Sequence, residues 1–217
     1  MERDEYVSLS VEYFKGKMSI ADLAIEIERK VALHVDRIDL LADERVMLIA
    51  NHPKAHPELS IPAELIAGLK GGNSRNFPDF WFPIVRQMML KKAMGRRFFT
   101  IGYDIGWKTA MQEMGHFLIR HEGNGRCQEI ISRLGKADCS VAIFPEGGAR
   151  NMETFRSGFF YIACELGIRK LAVCKFSSEL TLNGPNSLRL IKLEDIGCIA
   201  DSVKEFIDFQ RRSIVAA

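Results

Sequence analysis

Two short segments of the chain hold side chains suited to acid–base chemistry and anion binding. Asn51-His52-Pro53 follows the apolar run Val46 to Ala50, and Phe144-Pro145-Glu146-Gly147-Gly148-Ala149-Arg150 ends the apolar run that begins at Ser140. A histidine can accept and return a proton near neutral pH, and paired glycines let backbone N–H groups approach an anion. Both runs have the length of buried strands, and open α/β sheets place their sites beyond such strand ends. The alternative for the second segment is a strand-to-helix turn whose charges are solvated.

A third segment, Gly115-His116-Phe117-Leu118-Ile119-Arg120, lies between these two. In this order and spacing, the chain resembles the glycerolipid acyltransferase family, which includes lysophosphatidic acid and glycerol-3-phosphate acyltransferases. The family's marks are Asn-His followed by a nearby acid, a Gly-x-x-x-x-Arg-like segment, and Phe-Pro-Glu-Gly-Thr-Arg. The stretches Phe155 to Phe159 and Ala163 to Gly167 also resemble the family sequence that follows Phe-Pro-Glu-Gly-Thr-Arg. The resemblance covers residues 46–176.

The resemblance implies that His52 is the general base that removes a proton from an acceptor hydroxyl. The usual family spacing of histidine, four residues and aspartate reaches Pro57 here, and the acid one residue later is Glu58. Glu58 would accept a ring proton of His52, fix its tautomer and stabilise the imidazolium. The alternative is a solvated glutamate near the start of a following helix, where the helix dipole favours an acid.

Five residues are candidates for binding the acceptor: Arg120, Glu146, Gly147, Gly148 and Arg150. Arginine can hold a phosphate through two parallel hydrogen bonds. The resemblance assigns Arg120, Glu146 and Gly147 to glycerol phosphate. Because a carboxylate repels phosphate, Glu146 fits better as a partner of an acceptor hydroxyl or of an arginine. Arg150 lies one position later than the family arginine and the family threonine is missing, so the reach of Arg150 and the identity of the acceptor stay open.

The function that the resemblance implies is O-acyl transfer from an acyl thioester, acyl-CoA or acyl carrier protein, to a hydroxyl of a lysophospholipid or glycerol phosphate. The resemblance implies direct transfer without a covalent enzyme intermediate. A nucleophilic Cys139 or Cys164 is the weaker alternative, because both lie in apolar stretches where thiols tend to be inert. The thioester would be a co-substrate, and we predict no bound cofactor and no metal. One alternative is a lipid-binding or interaction module that has lost catalysis on the same fold. Another is an acyltransferase for a different amphipathic acceptor, such as an amino-lipid.

Alternating strand and helix patterns predict a single α/β domain over residues 1–217, with a largely parallel or mixed central sheet flanked by helices. It would comprise an N-terminal helical segment over 1–32, a motif-bearing core over 46–176, and a C-terminal strand and helix over 187–213. The predicted strands cover 34–41, 46–50, 98–101, 117–121, 140–144, 170–176 and 188–193. The predicted helices cover 20–32, 61–70, 107–114, 126–134, 154–166 and 202–211.

The composition, 47% apolar and 27% charged, is ordinary for a soluble globular protein. A net charge of +2 without a basic block gives no case for nucleic-acid binding. The five cysteines form no C-x-x-C pair, which predicts reduced thiols and a cytoplasmic location. No apolar run reaches the roughly 18 to 20 residues that span a bilayer. We therefore expect a soluble protein or one that associates peripherally with the inner membrane face.

The segment from Phe77 to Phe99 combines aromatic residues and methionines with nearby basic residues. Such a surface fits a membrane interface or an acyl-chain groove, so we predict that peripheral membrane association occurs through this segment. The alternative is that its apolar side chains belong to the core. Its basic residues are Arg86, Lys91, Lys92, Arg96 and Arg97.

Overall fold

Strands drawn from most of the chain length form one seven-stranded sheet. In the computed structural model, the described residues are 1–37, 45–59, 61, 81–94, 98–103, 116–119, 128, 131–132, 134–135, 137–146, 155, 157–196 and 203–217. The strands are β1 (Leu33–Asp36), β2 (Val46–Ala50), β3 (Lys54–Ala55), β4 (Phe98–Tyr103), β5 (His116–Ile119), β6 (Ser140–Ile143), β7 (Lys170–Phe176), β8 (Glu179–Leu180) and β9 (Asn186–Asp195). The helices are α1 (Arg3–Phe14), α2 (Ile20–Lys30), α3 (Trp81–Met94), α4 (Gly158–Glu165) and α5 (Val203–Ala216).

The sheet has the strand order β1-β9-β7-β2-β6-β4-β5, and β3 and β8 form a separate two-stranded ribbon. Strands β7, β2, β6, β4 and β5 run in one direction, whereas β9 pairs antiparallel with β7 and parallel with β1. The predicted α/β fold with a largely parallel or mixed sheet is therefore confirmed. Of the predicted elements, the helix over 107–114, the helix over 61–70 apart from residue 61, and most of the helix over 126–134 lie outside the described residues.

Strand β2 lies near the middle of the sheet, and all five of its residues are buried. Val46, Leu48 and Ala50 face the core layer formed with α1, α2 and α3. Met47 and Ile49 face the opposite layer, where the apolar side chains of α4 pack. A strand covered on both faces reads as a continuous apolar run, which is why its bounds agree with the prediction.

Helix α2 begins at the predicted residue, Ile20, and a side chain caps its first turn. The Ser19 hydroxyl accepts a hydrogen bond from the Asp22 backbone N–H at 3.1 Å and donates one to the Asp22 carboxylate at 2.6 Å. These bonds satisfy a backbone donor that the first helical turn leaves without a partner. The helix buries Ile20, Leu23 and Ile27 at the spacing of one helical face.

Helix α3 contains much of the apolar stripe that the sequence suggested for a membrane interface. Ile84, Val85 and the run from Met88 to Leu90 are buried in the core layer shared with α1 and α2. For these residues the core alternative is confirmed, whereas Lys91 and Lys92 are exposed. Residues 77–80 and the side chains of 81–83 lie outside the described part of the chain, so membrane association through them stays a prediction. Among the described residues, no helix combines the length and apolar character needed to cross a membrane.

Candidate active site

The first and second sequence segments meet at the carboxyl ends of two neighbouring strands of the sheet. Strands β2 and β6 are parallel neighbours with Ile49 opposite Ile143, and His52 and Glu146 each lie three residues beyond that pair. The backbone N–H of His52 donates a hydrogen bond to the Glu146 Oε1 atom at 2.8 Å. Glu146 is only 2% exposed. Its carboxylate therefore fixes the backbone of the candidate base.

Asn51 joins the end of β2 to the end of β7. Its Oδ1 atom accepts the Phe176 backbone N–H at 2.8 Å, and its Nδ2 group donates to the Phe176 carbonyl at 3.4 Å. An asparagine side chain offers a donor and an acceptor, and here both meet one backbone residue. Asn51 is 7% exposed. Its amide therefore adds two buried hydrogen bonds between the ends of β2 and β7.

We expect Asn51→Ala to lower the free energy of unfolding by about 1–3 kcal/mol, because the Phe176 N–H and carbonyl lose their partner. Urea unfolding followed by circular dichroism measures the change. Asn183→Ala is the matched control, since the Asn183 Oδ1 atom binds only an exposed partner, the amino terminus of Met1. Equal stability of the two variants would contradict the structural role of Asn51.

The contacts of the His52 ring define its tautomer. Nδ1 lies 3.0 Å from the Pro53 carbonyl oxygen, and Nε2 lies 3.3 Å from the Arg86 Nη1 atom. A carbonyl oxygen can only accept a hydrogen bond, and a guanidinium can only donate one. The two contacts together fit a neutral ring with its proton on Nδ1. Nε2 then carries the lone pair and is the atom that can accept a proton.

The Phe144 ring contacts both the His52 imidazole and the Arg86 guanidinium. It meets the His52 ring edge to face, with 5.2 Å between centroids and 66° between planes. The Arg86 Cζ atom lies 4.8 Å from the Phe144 centroid, within the range of a cation–π contact. Phe144 also lies 6.0 Å from the Phe176 ring. These rings give the histidine and the arginine an aromatic wall.

Arg86 is a functional candidate that the sequence analysis counted only as a basic residue beside an apolar stripe. It is 8% exposed. Desolvation by burial lowers the pKa of Arg86 to about 10, which leaves the guanidinium charged at neutral pH. The sequence signal that could have revealed it is its isolation, because it is the only charged residue between Pro83 and Leu90. A charge inside a core-forming helix needs a reason to be there.

Glu58, the predicted acidic partner of His52, lies in a short 3₁₀ turn from Pro57 to Leu59. Its Oε1 atom accepts the Leu182 backbone N–H at 2.6 Å, and its Oε2 atom lies 3.8 Å from His56 Nδ1. In the described part of the chain, the contacts of the Glu58 carboxylate do not include the His52 ring. The pairing of Glu58 with His52 stays a prediction.

The loop that follows β2 is held at several points along its length. Strand β3 pairs parallel with β8, and the His56 N–H donates to the Leu180 carbonyl at 2.9 Å. From helix α1, Arg3 donates to the Glu58 carbonyl and Tyr6 donates to the Leu59 carbonyl. The loop therefore bears His52 at one end and is tied to the N-terminal helix at the other.

Four of the predicted acceptor-binding residues, Arg120, Gly147, Gly148 and Arg150, lie outside the described residues. Of the described cysteines, Cys139 and Cys174 are buried and Cys164 is exposed. Desolvation, with the neighbouring charge of Glu165, raises the pKa of Cys164, and burial raises the pKa of Cys174. Thiols with raised pKa values are poor nucleophiles at neutral pH. No group of three or more potential metal ligands occurs among the described residues.

No protein-family model matches this chain, and no curated protein does. Among solved structures, the chain is similar to the crystal structure of the 1-acyl-sn-glycerophosphate (LPA) acyltransferase, PlsC, from Thermotoga maritima. The two share 13% sequence identity, with a TM-score of 0.49, over 95% of this chain and 88% of that chain. At this identity and TM-score, the likeness assigns no activity to the chain.

Proposed function

We propose that this protein is an O-acyltransferase that moves a fatty acyl group from an acyl thioester to a hydroxyl of a lysophospholipid or glycerol phosphate. One observation carries the proposal: His52 presents Nε2 as a proton acceptor at the point where two family-like segments meet, with its backbone held by Glu146. The donor would be acyl-CoA or an acyl carrier protein, acting as a co-substrate.

In the proposed reaction, Nε2 of His52 takes the proton of the acceptor hydroxyl as the oxygen attacks the thioester carbonyl carbon. The Pro53 carbonyl keeps the second ring proton on Nδ1, the position at which an acidic partner would hold it. The tetrahedral intermediate then expels the thiolate, and Nε2 returns its proton to the sulfur. Arg120, Gly147, Gly148 and Arg150 remain the proposed contacts of the acceptor phosphate, and Glu146 remains a proposed partner of the acceptor hydroxyl.

Thiol release from a panel of acyl thioesters tests the proposal, measured with and without candidate acceptors. We expect release that depends on a phosphorylated glycerol or lysolipid acceptor. Thiol release that depends only on an amino-lipid would mean that the acceptor in the proposal is wrong and that the acyl transfer itself is right. Absence of release with every donor and acceptor, together with binding of lipid vesicles, would replace the enzyme with a lipid-binding module.

A lipid acceptor is reached at a membrane surface, so we also propose peripheral membrane association. The segment before α3, residues 77–80, and the first turn of that helix are the proposed contact. The supporting features are the aromatic content of this segment in the sequence and the exposed Lys91 and Lys92 in the last turn of α3. Aromatic and basic side chains together favour an anionic lipid interface.

The role of Glu58 is decided by the turnover of Glu58→Gln. An acid that orients His52 and stabilises its imidazolium predicts a kcat about ten- to a hundredfold lower. A glutamate that only holds Leu182 predicts near wild-type turnover, because the glutamine Oε1 atom can accept the same N–H. The measurement is kcat at saturating donor and acceptor, beside thermal unfolding of both proteins.

A further inference from the structure

We propose that Arg86 is a further catalytic residue of this site, whose guanidinium donates a hydrogen bond to the thioester carbonyl oxygen as negative charge develops there. The proposal rests on the proposed acyl transfer. It assigns the stabilisation of the tetrahedral intermediate to a side chain of helix α3.

The position of Arg86 is fixed by the fold before any substrate binds. The residue lies in α3 between the buried Val85 and Gln87. Gln87 accepts a hydrogen bond from the Thr100 hydroxyl of β4 at 2.7 Å, which ties the helix to the sheet. The guanidinium itself packs over Phe144. A donor held in this way needs little reorganisation during the reaction, which is the condition for effective electrostatic stabilisation.

The distance between Arg86 and His52 places the guanidinium beside the reacting atoms. Nη1 lies 3.3 Å from Nε2, the atom that would take the proton. The acceptor oxygen must approach Nε2 to hydrogen-bond distance, and the carbonyl carbon lies one bond beyond that oxygen in the intermediate. When the acceptor hydroxyl replaces the guanidinium at Nε2, the released N–H faces the carbonyl oxygen. Five N–H groups in a planar fork make this change of partner possible without moving the residue far.

The charge of Arg86 also matches the negative charge that develops during acyl transfer. As Nε2 takes the hydroxyl proton, the new C–O bond forms and the carbonyl π electrons move onto the carbonyl oxygen. An imidazolium beside a guanidinium is unfavourable, but the oxyanion that forms in the same step is negative and offsets the two positive charges. The C–O double bond then reforms, the C–S bond breaks, and the thiolate takes the proton from Nε2. Arg86 thus stabilises a charge that exists only during the reaction, which raises kcat rather than substrate affinity.

The same geometry argues against a role for Arg86 in holding the acceptor phosphate. Arg86 is 8% exposed as a residue, and its guanidinium lies 3.3 Å from Nε2 of His52. A phosphate bound there would occupy the place that the acceptor hydroxyl needs. The oxyanion and phosphate roles differ in what they predict, since a lost phosphate contact raises the acceptor KM and a lost oxyanion contact lowers kcat.

Steady-state kinetics of Arg86→Gln, with thiol release as the signal, test the proposal. We expect kcat to fall about a hundred- to a thousandfold, as for loss of one oxyanion donor, with both KM values within about threefold of wild type. Arg86→Lys should give an intermediate kcat, because the ammonium keeps the charge without the fork. Added guanidinium ion, below denaturing concentration, should partly restore the kcat of Arg86→Ala.

Arg45→Gln is the matched control. Arg45 is another partly buried arginine, but Nε and Nη1 donate to the Cys139 and Leu166 carbonyls, each at 2.8 Å. It precedes β2, at the end of the strand opposite to His52, so its loss should lower stability and leave kcat unchanged. If Arg86→Gln does not fold, the kcat of Arg86→Lys and the guanidinium rescue decide the question.

Three outcomes would overturn the proposal. A raised acceptor KM with unchanged kcat would make Arg86 a phosphate ligand. Full kcat in Arg86→Gln, with His52→Ala inactive, would remove Arg86 from the chemistry and leave the acyltransferase intact. Absence of thiol release from the wild-type protein would overturn the proposed function itself, and the role of Arg86 with it.

Discussion

Replacement of His52 by alanine is expected to lower kcat by about a hundred- to ten-thousandfold, the range that loss of a general base produces. The reason is that Nε2 of His52 is the proposed proton acceptor, because the contact of Nδ1 with the Pro53 carbonyl leaves the lone pair on Nε2. The half-buried ring contributes packing against Phe144, so the loss of stability should be small beside the loss of turnover. Acceptor-dependent thiol release measures the first effect, and thermal unfolding measures the second.

His56→Ala is the control for this result. His56 lies on the same loop and is also a histidine, but its Nδ1 atom accepts the Glu58 backbone N–H at 3.2 Å and its side chain is exposed. We expect kcat of His56→Ala within about threefold of wild type. Loss of turnover in His56→Ala, with His52→Ala active, would show that the general base is His56 and not His52.

The second large effect is expected for Glu146→Ala. The His52 backbone N–H would lose its acceptor in a site where Glu146 is 2% exposed. Leaving a buried donor without a partner costs about 1–3 kcal/mol of unfolding free energy. The backbone at His52 would also relax, and a displacement of about 1 Å can lower turnover by about a hundredfold. Urea unfolding and kcat measured on the same preparation give both quantities.

Glu146→Gln separates the hydrogen bond from the charge. A glutamine oxygen can accept the same N–H, so we expect this variant to keep most of the stability that Glu146→Ala loses. Glu12→Ala serves as the surface control, because Glu12 makes an exposed ion pair with Lys17 at 3.5 Å. Wild-type kcat in Glu146→Ala would show that other contacts position His52.

The sequence predicts the elements that are buried on both faces or capped locally. Strands β2 and β7 appear at their predicted bounds, because continuous apolar runs between turn residues permit few other structures. Helix α2 begins at the predicted residue 20, where Ser19 and Asp22 form the cap. Helix α1 was predicted only as part of an N-terminal helical segment. Its buried face consists of Tyr6, Ser10 and Phe14, a set that includes a serine and gives weak apolar periodicity.

The candidate site shows the same division. The meeting of His52 with Glu146 follows from two strand-end motifs in neighbouring parallel strands, which makes it accessible to sequence reasoning. The contact between Arg86 and His52 depends on how α3 packs across the sheet, which no local pattern specifies. The Pro53 carbonyl is a backbone group, and side-chain motifs do not report where carbonyls point.

The tie between the His52 loop and the C-terminal half has a consequence for synthesis on the ribosome. Asn51 binds Phe176 and Glu58 binds Leu182, contacts that span 125 and 124 residues. At about 5–20 residues per second, those partners are made about 6 to 25 s after the loop itself. For most of that interval the apolar strand β2 lacks β6, and until nearly its end β2 also lacks β7, the two neighbours that cover its edges. An unpaired apolar strand invites association with other chains. The nascent chain therefore carries an unpaired apolar strand until most of the chain has been made, and chaperones are expected to protect it during that time.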